Sequence, residues 1–143
     1  MNELVSILLV EDDEVDVLLF RRALSRLKLE NPLFVASNGE EALGQLRGQE
    51  NEPALPRPYV VMLDLNMPRM GGLEFLEVIR EDPELSDTVV FVLTTSAADE
   101  DLLRTESRNV AGYLLKKNLI DELAKVADRL ADRRLVASRS GEP

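Results

Sequence analysis

Short runs of consecutive β-branched and aliphatic residues alternate along the chain with longer stretches whose apolar positions recur at helical spacing. The runs lie at 5–10, 33–36, 59–63, 88–93 and 110–115. Most are apolar on successive positions rather than on every second one, as expected of strands covered on both faces. Between and after them lie helix-period segments at 13–29, 39–47, 72–80, 97–107 and 119–136. In the first, Leu19, Phe20, Ala23, Leu24 and Leu27 form an apolar stripe; in the last, Ile120, Leu123, Ala127 and Leu130 do the same. Each parallel strand needs a crossover, and a helix supplies it. The alternation therefore predicts an α/β domain: a five-stranded parallel sheet, doubly wound, with five helices.

One stretch falls out of step. Residues 48–58 contain Pro53, Pro56 and Pro58, a density that suits an extended surface loop and is too short for an interdomain linker. The 143 residues fit one domain, expected over 1–136, with a short polar tail at 137–143 and no room for a separate output domain.

Composition narrows the chemistry. Seventeen Lys and Arg against 27 Asp and Glu leave a net charge of −10, which disfavours nucleic acid as the main partner. The chain has no cysteine and no histidine, so thiolate and His-ligated metal sites, Ser-His-Asp hydrolysis and histidine phosphocarriers are excluded. A membrane span needs about 18 consecutive apolar residues, and the purest run, from Val89 to Leu93, is five. Residues 4–10 lack a basic leader and run straight into Glu11-Asp12-Asp13-Glu14, unlike a signal peptide. A cytoplasmic protein with no membrane contact is the expectation.

In open α/β sheets, ligands bind beyond the carboxyl ends of the strands, where strand order reverses. Glu11 and Asp12 follow the first strand, Asp64 the third, Thr94, Thr95 and Ser96 the fourth, and Lys116 and Lys117 the fifth. In a sheet of order 2-1-3-4-5 the first and third strands are neighbours, and Glu11, Asp12 and Asp64 converge. Three carboxylates that close repel one another unless a cation sits among them. Hard oxygen donors alone select Mg²⁺, Mn²⁺ or Ca²⁺. Mg²⁺ leaves coordination positions for a phosphate, whose other oxygens suit Lys116 and the Thr94 hydroxyl. A carboxylate can itself be a nucleophile, so Asp64 is a candidate phosphoacceptor.

The segments Leu8-Leu9-Val10-Glu11-Asp12, Asp64-Leu65-Asn66-Met67-Pro68 with Gly71-Gly72, Leu93-Thr94-Thr95-Ser96 and Tyr113-Leu114-Leu115-Lys116 occur in this order, each at a strand end. Together they resemble the receiver domain of two-component response regulators, over residues 5–136. The resemblance implies a flavodoxin-like fold and a stand-alone response regulator in a phosphorelay, with only self-phosphorylation and dephosphorylation chemistry. Asp64 would accept phosphate from a sensor histidine kinase. Glu11, Asp12, Asp64 and the Asn66 carbonyl would hold Mg²⁺, with Mn²⁺ as the alternative. Thr94 and Lys116 would contact the phosphoryl oxygens, and Tyr113 would turn inward as Thr94 moves toward the phosphate. Asn66 and Ser96 match positions that tune dephosphorylation. The signal would leave by a downstream protein or phosphotransfer partner, or through a homodimer.

Receivers commonly carry Lys-Pro after the fifth strand; here Lys117 follows Lys116. That ending, the Asp-Leu-Asn-Met-Pro run and the Pro-rich segment look similar to the small regulators that partner phytochrome-type kinases. Two other readings compete. An aspartate-nucleophile phosphatase would want a second acid two residues after the nucleophile, where this chain has Asn66. A receiver-like interaction module that is never phosphorylated would be expected to have lost one of the acidic, hydroxyl or lysine groups. Asp13 reads as the N-cap of the first helix, and Gly71-Gly72 as a tight turn rather than a phosphate loop.

Overall fold

A computed structural model describes residues 4–49, 51–65, 67, 70–95 and 108–129. Five parallel strands form one sheet: β1 (Ser6–Val10), β2 (Leu33–Ala36), β3 (Tyr59–Asp64), β4 (Val90–Thr94) and β5 (Gly112–Leu115). Their order is β2-β1-β3-β4-β5, as the sequence predicts for a doubly wound sheet. Among the described residues the helices are α1 (Glu14–Arg26), α2 (Gly39–Arg47), α3 (Gly72–Glu81) and α4 (Leu119–Arg129). The helix expected at 97–107 lies outside the described residues, as does the tail at 137–143. No helix among the described residues is long and apolar enough to cross a membrane.

The pleat sorts the strand residues into two layers. Leu8, Val10, Val61 and Leu63 face Leu43 of α2 and Phe75, Leu76 and Ile79 of α3. Ile7, Leu9, Val60 and Met62 face Phe20 and Leu24 of α1 and Leu123 and Val126 of α4. Both faces of β1, β3 and β4 are therefore buried, which explains their continuous apolar runs. Each large side chain taken fully out of water, such as Phe20, Phe75 or Phe91, contributes about 1.5–3 kcal/mol.

Several sequence expectations need correction. Leu19 of the α1 stripe and Ile120 of the last stripe are 47% and 38% exposed, so neither belongs to the core. The buried face of α1 is Phe20, Ala23 and Leu24, and Val15 and Leu18 share the exposed side with Leu19. This helix also ends three residues before Leu29. Lys28 takes the left-handed conformation (φ 59°), its N–H donating to the Ser25 carbonyl and that of Leu29 to Leu24. Leu29 then folds back as a buried residue. That is a Schellman closure with lysine where glycine is usual, so no glycine marked it. Asp13 caps the helix as expected, accepting from the N–H groups of Val15 (2.8 Å) and Asp16 (3.4 Å).

The remaining strand limits shift by one or two residues. Thr88 donates its N–H to Leu85 in the turn before β4, and β5 begins after Val110 and Ala111. The Pro-rich segment is largely exposed, but Leu55 is buried and its N–H donates to Gln45 at the end of α2. At the opposite pole from the carboxyl ends, Arg80 of α3 ties three segments together. Its guanidinium donates to the carbonyls of Ser86 (3.0 Å), Thr88 (2.8 Å), Arg108 (2.6 Å) and Asn109 (3.1 Å). Arg108 also pairs with Glu77 of α3. The entry to β5, and with it the placing of Lys116, is thus fastened to α3.

Candidate functional site

Register brings the strand ends together. Val10 pairs with Leu63, Asp64 with Leu93, and Thr94 with Leu115, so the residues that follow β1 and those that end β3, β4 and β5 share one rim. Glu11 and Asp64 are buried on this rim, whereas Asp12 is exposed. One oxygen from each of the three carboxylates lies within 4.8 Å of the others. The convergence expected from the sequence is present.

Gly72 explains how Asp64 is held. A Cβ on Gly72 would stand 2.7 Å from the Leu65 Cα and 2.9 Å from the Asp64 carbonyl oxygen. The first turn of α3 can therefore sit against the end of β3 only with glycine there. Close packing at Gly72, and not a turn that only glycine can make, is what calls for glycine here; Gly71 has φ −76° and space for a Cβ, 3.6 Å from the Met67 carbonyl oxygen.

Lys116 enters the cluster from the other side. Leu115 ends β5, and a single 3₁₀ turn, Lys116–Asn118, leads directly into α4 where receivers commonly carry proline. The Lys116 ammonium lies 2.9 Å from Asp16 Oδ2, 3.1 Å from Glu11 Oε1 and 3.5 Å from Asp64 Oδ1. Burial opposes its charge, but the hydrogen bond to Asp16 and the charges of Asp64 and Glu11 outweigh that and hold its pKa above the ordinary lysine value. Glu11 behaves the opposite way. Burial first, then the adjacent Asp64 charge, push its carboxyl up to about 7. Its Oε1 is buried without a well-directed hydrogen bond, while Oε2 accepts weakly from the Asp13 N–H at 3.3 Å.

This donor set fits a divalent cation. It offers three carboxylates and no nitrogen or sulfur ligand, on a rim where one buried oxygen lacks a directed partner. Thr94 is buried at the end of β4, next in the sheet to Asp64, and Tyr113 is half-buried against the α2–α3 core layer. Asn66 and Ser96 lie outside the described residues.

The sequence reading missed Asp16. It sits at the third position of α1, where an acidic residue reads as an ordinary partner of the helix dipole. Only the fold shows that it meets a lysine 100 positions later.

Comparison with known proteins agrees with this geometry. The family model for the response regulator receiver domain matches residues 7–128. Response regulator Rcp1 of Synechocystis sp. is 34% identical over 120 residues, which is 84% of this chain and 82% of its own length. The bacteriophytochrome response regulator AtBRR superposes with a TM-score of 0.78 at 32% identity, covering 99% of this chain and all of that one. The Mn²⁺-bound form of Rcp1 gives 0.73 at 31% identity, covering 94% and 97%. With the sheet order, the carboxylate rim and the bridging lysine all in place, the chain belongs to the response regulator receiver family.

Proposed function

We propose that this chain is a stand-alone response regulator whose Asp64 is phosphorylated by a sensor histidine kinase of the phytochrome type, with Mg²⁺ required. The observation that carries this reading is the placing of Asp64: a buried carboxylate between two further acids and a lysine, at the sheet's switch point. The phytochrome assignment rests on the similarity to AtBRR along its whole length. The metal assignment is supported by the donor set and by the Mn²⁺ held by Rcp1.

A carboxylate oxygen of Asp64 attacks phosphorus, the phosphorus–nitrogen bond of the kinase phosphohistidine breaks, and the imidazole leaves with its electron pair. Glu11, Asp12 and the other Asp64 oxygen would hold the cation, which lowers the negative charge facing the incoming phosphoryl group. Lys116 supplies a second positive charge, and the Thr94 hydroxyl is a donor for a phosphoryl oxygen. Tyr113, half-buried against the α2–α3 core layer, would respond to a movement of Thr94, and the face carrying β5 and α4 would then change shape for a partner protein.

Native chain incubated with acetyl phosphate is expected to gain the mass of one phosphoryl group with Mg²⁺ and none with a chelator. The adduct should be released by hydroxylamine, as an acyl phosphate is. A metal-independent gain, or sustained turnover of a phosphomonoester, contradicts the reading and favours the phosphatase alternative.

Docking of the kinase has a surface at hand. Val15, Leu18 and Leu19 of α1 lie exposed at i, i+3 and i+4, with Ile120 of α4 exposed as well. Leu19 and Ile120 line a groove shared with Arg22, Arg26 and Lys116. A Leu19→Glu chain should be phosphorylated about tenfold more slowly by an autophosphorylated bacteriophytochrome kinase, a typical loss for a central interface residue. Its reaction with acetyl phosphate should match the native rate. Equal slowing with both donors would place the effect in the site and not in docking.

A further inference from the structure

We propose that Asp16 is a positioning residue that competes with the phosphoryl group for the Lys116 ammonium, and so sets how tightly the phosphorylated state is held. The inference rests on Asp64 being the phosphoacceptor and extends it to a residue outside the carboxylate cluster. Lys116 is 2.9 Å from Asp16, hydrogen-bonded, but 3.5 Å from Asp64, beyond a good hydrogen bond. With Glu11 Oε1 also at 3.1 Å, the ammonium is therefore drawn toward Asp16 and Glu11 and away from Asp64 in the unphosphorylated chain. Asp16 is not among the acids that share the cation-sized space, so a divalent ion there would offset most of the charge of Glu11, Asp12 and Asp64 and leave the Asp16–Lys116 pair standing.

For Lys116 to serve a phosphoryl oxygen, that pair must open or be shared. Both side chains are partly buried, at 29% and 19% exposed, so the pair is shielded from bulk water more than a surface ion pair is. Removing the Asp16 charge should favour the phosphorylated state.

Beryllofluoride, an acyl phosphate mimic that binds reversibly, turns this into an equilibrium measurement. Titrated calorimetrically in Mg²⁺, Asp16→Asn should bind it about fivefold more tightly than the native chain. In a Lys116→Met background the same substitution should change the affinity less than twofold, because the competition has lost its object. A purely structural part for Asp16 would not produce that dependence on Lys116. Unchanged or weaker binding by Asp16→Asn, or an equal gain with and without Lys116, overturns the inference. If the native chain itself fails to bind beryllofluoride, the phosphoacceptor assignment of Asp64 fails instead.

Discussion

Asp64→Asn is expected to take up no phosphoryl group under any condition and, without metal, to melt at a higher temperature than the native chain. The first half follows from chemistry: an amide has no carboxylate to attack phosphorus, and Glu11, the other buried acid that Lys116 bridges among the described residues, is expected to serve as a metal ligand. The second half follows from electrostatics. Asp64 is the second cause, after burial, of the raised Glu11 pKa, so in the native chain the two carboxylates oppose each other in a buried space. An amide of the same shape removes one charge and brings N–H donors beside Glu11 Oε1, which lacks a directed hydrogen bond. Relieving one such repulsion contributes on the order of 1 kcal/mol, or about 4 °C for a chain of this size. Intact mass and thermal melting at pH 8 in chelator check the two halves separately. A phosphoryl adduct on the variant would move the acceptor elsewhere; a lower melting temperature would mean that the carboxylates are already compensated by Lys116.

The fold was legible because each strand's burial leaves a separate trace. β1, β3 and β4 are enclosed on both faces, and so their residues are apolar in succession. The rim was legible for a related reason: Glu11 and Asp64 are charges at the ends of such runs, where a sequence ordinarily keeps none without a use. Boundaries were less so. Nothing local distinguishes Leu27 and Leu29 from a continuing helix, because the left-handed turn falls on Lys28, and only the tertiary contact of Leu29 decides it. Leu19 and Ile120 fit the helical period of their stripes, yet the period cannot say where the core stops. Asp16 failed to stand out because its helix-start position already accounts for it. Its partner, Lys116, is fixed by β5, whose entry in turn is fixed by Arg80 on α3. A pairing that depends on three elements leaves no local sign.

The raised Glu11 pKa makes stability depend on pH in an unusual direction. In the folded chain Glu11 holds its proton up to about pH 7, whereas the unfolded residue releases it near 4.5. Between those values the folded state binds more protons, so stability is present at the acid end and is lost as pH rises through about 7. A shift of this size corresponds to up to roughly 3 kcal/mol, or about 10 °C in melting temperature. With no histidine and no cysteine, few other groups in the chain titrate across that window. The metal-free protein is therefore expected to melt about 10 °C lower at pH 8 than at pH 5. Mg²⁺ should nearly cancel the trend, since it needs the same carboxylates ionised: at a hundred times its dissociation constant it adds about 2.7 kcal/mol. Its stabilising effect should be large at pH 8 and small at pH 5, and Asp12→Asn should remove most of it. Differential scanning calorimetry at the two pH values, with Mg²⁺ and with chelator, measures both slopes. A metal-free melting temperature that rises from pH 5 to pH 8 would show that Lys116 keeps Glu11 ionised, and would take away the protonated carboxyl that Mg²⁺ is expected to displace.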